Sequence, residues 1–311
     1  MKKVLVTGGA GFLGSHLCRK LWEKGNYVIA IDNFFTGNKR NLRELVNLKL
    51  DTFYLFYQDI NQPFHFEVDE IYHLACPASP VYYQKNPVRT IETCVKGTFN
   101  VLDLCRNVGA KSLIASTSEI YGDPLIHPQV ESYLGNVNTL GPRSNYDEGK
   151  RCAEALSYSF AKQYDMDIKI VRIFNTYGPN MALNDGRVVT NFITQALKND
   201  PITVYGDGRQ TRSFCYVDDM IDAFIKVMEN GKSVDPINLG NPVETTMVEL
   251  AETIISLTNS KSEIIFNDLP KDDPTRRKPD ITKAKQLLNW EPKTNLIDGL
   301  NKTISHIIPR M

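Results

Sequence analysis

The segment KVLVTGGAGFLGSH, Lys3 to His16, constrains the fold more than any other part of the chain. A short apolar β-branched run meets glycines at positions 8, 9, 11 and 14, and Leu17 and Leu21 then recur at helical spacing until Gly25. This is strand, tight turn, helix. Gly8, Gly11 and Gly14 permit the turn, close approach of backbone to a pyrophosphate, and close helix–strand packing. The helix start presents unpaired N–H groups and the positive end of its dipole to an anion. A glycine motif alone can be no more than a flexible turn, but here the required context surrounds it. Phe12 and Leu13 complete the cradle. A second strand, YVIAID, ends at Asp32, 18 residues after Gly14, where a carboxylate accepts the adenosine ribose hydroxyls and repels a 2′-phosphate. NAD is therefore expected over NADP, although Arg40 lies in the loop that follows Asn33, Thr36 and Gly37. Asp59 and Ile60, ending the third strand, are expected beside the adenine, and Leu74 and Ala75 close the site after the fourth.

Further strands are FYLFYQD, EIYHLA, KSLIAST and IKIVRIFN, with VRTIETCVKGTFNVLDLCRNVGA between the fourth and fifth reading as one long helix ended by Gly109. Near-continuous apolar strands separated by helices imply a parallel sheet covered on both faces. The expected fold is α/β, a Rossmann-type doubly wound parallel sheet with a smaller C-terminal α/β substrate-binding lobe. Residues 1–178 are assigned to the dinucleotide domain with the reacting groups and 179–311 to the lobe, where Gly- and Pro-rich loops surround VDDMIDAFIKVME and TMVELAETIISLT, expected as helices.

With 36 Lys plus Arg against 36 Asp plus Glu, no global field favours nucleic acid or an anionic membrane. No apolar run approaches the roughly 18 residues that span a bilayer. The six cysteines form no Cys-x-x-Cys pair and no cluster with His at metal spacing, so no metal is expected and a reducing, cytoplasmic setting is the default.

The reacting groups are expected in two places. YDEGK sets Tyr146 and Lys150 four apart, on one helix face about 5–6 Å apart at Cβ. A neighbouring ammonium and a nearby nicotinamide cation favour the phenolate and lower the phenol pKa from about 10 toward a usable base. STSE, at the end of the fifth strand, offers Thr117 to hold a substrate alcohol beside Tyr146. Tyr-x-x-x-Lys alone is common by chance; after a dinucleotide fingerprint and a hydroxyl-ended strand it becomes a constellation.

These motifs resemble the extended short-chain dehydrogenase/reductase family over essentially the whole chain. HLACPASPVYYQKNPVRT, STSEIYGDP, GPRSNYDEGKR, RIFNTYGPNM, TVYGDGRQTRSF and RKPDITKAKQLLNWEP are similar, within it, to the UDP-glucuronate decarboxylase group. That resemblance implies conversion of UDP-glucuronate to UDP-xylose through a 4-keto sugar, with NAD as a recycled cofactor. It implies catalytic roles for Thr117, Ser118, Glu119, Tyr146, Lys150 and Arg277. Ser118 stands where related dehydratases carry an acidic residue, and it cannot donate a carboxylic proton. Glu119 is implied in deprotonation or water positioning, and Arg277 in binding the sugar carboxylate or organising C5 protonation. Pro77 and Ser79 are implied over the sugar; Asn175, Arg187, Val188, Tyr205 and Arg212 around the uridine diphosphate. Without the resemblance, Arg277 reads as part of a solvated basic turn and Arg187 as a surface residue. A homodimer through the long helix and the Tyr146 helix is implied as well. Cys94, Leu134 and Asn145 depart from the usual Asn, Trp and small residue or Cys, which bears on hydration and rate. A UDP-sugar 4-epimerase and a catalytically silent NAD-binding regulator are the alternatives.

Overall fold

The computed structural model describes residues 1–48, 51–231, 233–268 and 276–311. The six strands expected from the sequence form β1 (Lys3–Thr7), β2 (Tyr27–Asp32), β3 (Phe53–Tyr57), β4 (Glu70–His73), β5 (Lys111–Thr117) and β6 (Ile168–Ile173). A seventh, Ile237–Leu239, pairs with β6, and the order is seventh–β6–β5–β4–β1–β2–β3, every pairing parallel. The order reverses between β1 and β4. In a doubly wound sheet that reversal opens a crevice beyond the strands' carboxyl ends, where ligands bind. The strands are apolar throughout because helices cover both faces; Val4, Leu5 and Val6 are fully buried.

Helix α1 (Phe12–Glu23) starts directly after the glycine turn and buries Gly14, Ser15, Leu17, Cys18 and Leu21 against the sheet. Gly8 has a φ of 69°, which only glycine adopts readily, and a Cβ at Gly14 would lie 2.1 Å from the Gly8 carbonyl. The long helix expected between β4 and β5 differs in detail. It runs from Pro87 to Val108 but passes through one π turn, Thr93–Gly97, and ends at left-handed Gly109. Such single π turns cluster at functional sites. Here a close neighbour explains the widening: Gly149 of the helix Ser144–Tyr164 is so near that a Cβ there would sit 2.9 Å from Cys94 Cβ.

Beyond residue 179, helices Val188–Lys198 and Met247–Thr258 pack around a parallel strand pair, Ile202–Tyr205 with Ile264–Asn267. The second helix begins with a capping box between Thr246 and Glu249. Strands Glu244–Thr246, Thr211–Ser213 and Arg276–Arg277 form a small three-stranded sheet. The helix Val217–Glu229 returns to lie against β5, β6 and α1, so one core joins Val4 and Leu17 to Met220, Phe224 and Leu250. Trp290 donates its indole N–H to the Asp219 carbonyl at 3.0 Å, pinning the C-terminal segment to that helix. No helix among the described residues is long and apolar enough to cross a membrane.

Candidate active site

A cavity of about 1640 Å³ follows the carboxyl ends of the strands from the glycine turn to the second lobe. That exceeds the ~300–1,000 Å³ of ordinary single-ligand pockets. At one end Gly8, Gly11, Phe12, Leu13, Gly14, Asn33, Thr36, Gly37 and Ile60 line it, with Leu74 and Ala75 on the β4 side. The Thr7 hydroxyl, hydrogen-bonded to His73 Nδ1 at 2.8 Å, accepts the N–H groups of Leu74 and Ala75, which locks the tips of β1 and β4 together. Burial pushes His73 down to about 3, so its ring is neutral here. Asp32 accepts the N–H groups of Ala10 and Phe34 at 3.0 and 2.8 Å. Its carboxyl lies so near Gly37 that a Cβ there would meet it at 2.6 Å. Burial raises its pKa, opposed by those two N–H groups. Asp59 takes hydrogen bonds from Asn33 at 3.1 Å and from Arg89 at 2.5 Å, and Arg40 also lines this end. Glycines where a side chain would collide, an N–H-rich helix start and a carboxylate at the tip of β2 fit a dinucleotide.

The middle of the cavity holds the hydroxyl-ended strand and the Tyr146 helix. The STSE run divides where β5 gives way to a short 3-10 turn, Ser118–Tyr121. Ser116 turns to Glu154 at 2.5 Å, joining the Glu154–Arg172 ion pair, whereas Thr117, Ser118 and Glu119 gather toward Tyr146 and Lys150. Lys150 Nζ donates to the Ala115 carbonyl at 2.8 Å and lies 5.9 Å from the centre of the Tyr146 ring. Tyr83 stacks face to face on Tyr146, ring centres 5.0 Å apart. The expected depression of the Tyr146 phenol calls on a nicotinamide cation as well as Lys150, and the protein's own groups do not produce it. Burial pushes it well above its ordinary value, with nearby Cys76, Cys94 and Glu119 acting the same way and Thr117 opposing them. The protein alone therefore holds a neutral phenol.

Arg277 is brought 158 residues through the chain onto Glu119, with Nη2 to Oε2 at 2.8 Å and Nη1 to Oε1 shorter still. The local reason is strand pairing: Arg276–Arg277 lies parallel to Thr211–Ser213, which sets Arg277 opposite Arg212. Arg277 is buried rather than the solvated turn that its sequence alone suggests. Arg143 donates to the same carboxylate. Burial alone would raise Glu119, but Arg277 and Arg143 outweigh it and hold the carboxyl at about 2. Glu119 is thus an anion and a weak base in this state. Neither Arg143 nor Tyr83 is marked out individually by the sequence. The signal for Arg143 was its place three residues before Tyr146, one helical turn away.

Asn175, just after β6, and Arg187, Val188, Tyr205 and Arg212 of the second lobe all line the far end. Arg187 pairs with Asp185 and lies 5.8 Å over the Phe12 ring, bridging the two ends of the cavity. Val188 opens its helix, and Tyr205 is half exposed. Pro77 and Ser79 cover the middle, and Ser79 donates to the Asp185 carbonyl. Two of the departures find structural places: Asn145 ties its helix to the Tyr83 carbonyl at 2.7 Å, and Leu134 is exposed, outside the cavity lining. Cys94 lies under Tyr146 with its sulfur 3.2 Å from that of Cys76.

Comparison with known proteins places this geometry. The model of the NAD dependent epimerase/dehydratase family matches residues 4–240. UDP-glucuronic acid decarboxylase 5 of Arabidopsis thaliana is 56% identical over 299 residues, covering 96% of this chain and 87% of the relative. UDP-glucuronic acid decarboxylase 1 of Xenopus tropicalis is 52% identical over 305 residues, covering 98% and 72%. Among solved structures, the UDP-glucuronic acid 4-epimerase of Bacillus cereus in complex with UDP-glucuronic acid and NAD has a TM-score of 0.88 at 28% identity, covering 99% of this chain and 100% of that one.

Proposed function

This chain belongs to the NAD dependent epimerase/dehydratase family, and from that membership we propose that it decarboxylates UDP-glucuronate to UDP-xylose with NAD as cofactor. The observation that carries the reading is the Glu119–Arg277 pair at the tip of β5, beside Tyr146 and Lys150. A carboxylate on C5 of a pyranose does not leave unaided, because the carbanion left behind is unstabilised. A ketone at C4 makes it a β-keto acid whose electrons delocalise into an enolate.

In this reading the glycine turn and Asp32, Asn33, Thr36, Gly37, Asp59, Ile60, Leu74 and Ala75 hold NAD, which when bound accepts the C4 hydride and later returns it. Tyr146 takes the C4 hydroxyl proton, helped by Thr117. The neutral phenol must first release its own proton to solvent before it can take the substrate's, and a bound nicotinamide cation would favour that release by its field. Lys150, anchored to the Ala115 carbonyl, fixes the helix face that carries both groups. Ser118 offers a neutral hydroxyl and no acid, which suits loss of carbon dioxide rather than expulsion of a hydroxyl. The two arginines on Glu119 leave a site with one net positive charge, suited to a sugar carboxylate. Pro77 and Ser79 cover the sugar; Asn175, Arg187, Val188, Tyr205 and Arg212 take the uridine diphosphate. Residues 1–178 thus supply the cofactor site and the reacting groups other than Arg277, and 179–311 supply Arg277 and most nucleotide contacts. The same proposal includes a cytoplasmic homodimer packed through the helices Pro87–Val108 and Ser144–Tyr164.

The test is incubation with NAD and UDP-glucuronate labelled in its carboxyl carbon. Labelled carbon dioxide and UDP-xylose are expected, and Tyr146→Phe should lose roughly 100-fold or more of the rate while still binding NAD. UDP-galacturonate with the label retained would instead assign the chain to the epimerases. Unchanged behaviour of Tyr146→Phe would favour a silent regulator.

A further inference from the structure

The mechanism leaves one chemical pair beside the cavity unused. Cys76, the residue after Ala75 at the tip of β4, lines the cavity, and its sulfur lies 3.2 Å from that of buried Cys94. The two sit with Tyr83 and Tyr146 in one small cluster. Cys94 belongs to the π turn Thr93–Gly97 and packs on Gly149, the residue before Lys150. The other cysteines differ in setting. Cys18, Cys105 and Cys215 are deep in the core, where burial pushes their thiols up, and half-buried Cys152 makes no sulfur hydrogen bond among the described residues.

We propose that Cys76 and Cys94 are a peroxide-oxidisable dithiol whose closure to a disulfide switches off the adjacent active site. The geometry supplies the requirements. Half-buried Cys76 lines the cavity, its partner sulfur is already in contact, and a disulfide asks the sulfurs to close to about 2.05 Å. The hydrogen bond with Cys94 favours the Cys76 thiolate; burial opposes it and Lys150 assists, leaving Cys76 at about 7 and Cys94 raised. A thiolate is the nucleophile in such oxidations.

The reaction balances with hydrogen peroxide as oxidant. The Cys76 thiolate attacks one peroxide oxygen, the O–O bond breaks, and water leaves after protonation, giving the sulfenic acid. The Cys94 sulfur then attacks Cys76, the S–O bond breaks, a second water leaves, and the S–S bond forms. Two thiols have together lost two electrons and two protons, and the peroxide has gained them.

Closure must be absorbed by the β4 tip or by the π turn. The turn is the softer of the two, since it already departs from regular helix hydrogen bonding. Its movement shifts the surface on which Gly149, and with it Tyr146 and Lys150, is seated. A displacement near 1 Å at reacting groups can cost on the order of 100-fold.

The effect on turnover rests on the decarboxylase reading; the disulfide does not. The full chain is therefore treated with hydrogen peroxide, with and without later dithiothreitol, and read by peptide mapping under non-reducing conditions as well as by carbon dioxide release. A Cys76–Cys94 peptide lacking two hydrogens is expected, with a rate loss of roughly tenfold or more that dithiothreitol restores. Cys94→Ser and Cys94→Ala, each referred to its own untreated rate, should lose the reversible component, whereas Cys152→Ser should keep it. The proposal is overturned if no Cys76–Cys94 peptide forms, if Cys152 is the partner, or if the disulfide forms with the rate unchanged. It is also overturned if both Cys94 variants show the same reversible loss. Absence of any decarboxylation before treatment, with the disulfide still mapped, would fault the functional reading and leave the dithiol standing.

Discussion

Asp147, next to Tyr146, shows how a single side chain records the cost of assembling this site. It is buried, and its Oδ1 has no hydrogen-bond partner among the described residues. Burial first, and the Glu119 charge second, push its carboxyl up to about 7. Between its unfolded value near 3.9 and pH 7, the folded state keeps a proton that the unfolded state has lost, so stability falls as pH rises through that window. Glu119 has the opposite sign, but its window lies below about pH 4.5, where the unfolded carboxyl protonates while the folded one stays ionised. Glu119 is therefore silent from pH 5 to 7.5. His73 and Cys76 also titrate differently in the folded and unfolded states there, but a variant at Asp147 shares both, so the difference between the two proteins isolates Asp147. Asp147→Asn, neutral at every pH, should gain on the parent across that range by roughly 2–4 kcal/mol, read from urea unfolding at each pH. Parallel curves for the two proteins would mean that Asp147 is ionised throughout and has found a partner. At this scale the sequence was informative about identity and poor about environment. Tyr146, Lys150 and Thr117 were legible from spacing, while Arg143 and Asp147 were not, since nothing in a linear string says which side chains share a buried carboxylate.

Among the elements, the strand–turn–helix at the N-terminus was the most legible, because hydrophobic period, glycines and helix spacing agree over Lys3–Glu23. Its glycines nonetheless serve different ends. A Cβ at Gly14 would strike the Gly8 carbonyl oxygen at 2.1 Å and the Gly8 carbonyl carbon at 2.9 Å, both backbone. At Gly11 the nearest atom is the same carbonyl oxygen at 3.0 Å, a contact relieved by a small shift. Gly14→Ala should therefore destabilise the ligand-free protein by about 2 kcal/mol or more, as overpacking does. Gly11→Ala should change ligand-free stability by less than about 1 kcal/mol, yet weaken NAD binding roughly tenfold, since it crowds the pyrophosphate approach. Thermal melts with and without NAD separate the two; equal losses of ligand-free stability would show that the glycines share one packing role. The π turn was not legible. VRTIETCVKGTFNV has an ordinary helical pattern, and the extra residue in that turn reflects Gly149 pressing from another helix.

Across the whole molecule, a parallel sheet covered on both faces followed from the alternation of strands and helices, but the strand order and the return of the chain did not. Ile237–Leu239 is three residues long, too short for any periodicity, and only its pairing with β6 identifies it. Arg277 likewise owes its place to the register that sets it beside Arg212. The outer face of the molecule makes the last argument. Val88, Ile91 and Phe99 are exposed on the helical run Pro87–Val108, joined by half-buried Val95 at spacings of three and four, which is one stripe along a helix. Tyr158 and Tyr164 are exposed on the neighbouring helix Ser144–Tyr164. Apolar residues aligned over two adjacent helices suit burial against a second copy, where two such pairs make four helices around a two-fold axis. The proposed dimer would then brace the π turn and the Tyr146 helix from behind. Phe99→Asp combined with Tyr158→Asp should convert a dimer to a monomer at micromolar concentration in equilibrium sedimentation, because two charges on each face meet their own copies across the axis. The monomer should also lose rate several-fold while keeping the fold by circular dichroism. A parent protein that sediments as a monomer would refute the dimer, and a double variant that remains dimeric would place the contact elsewhere.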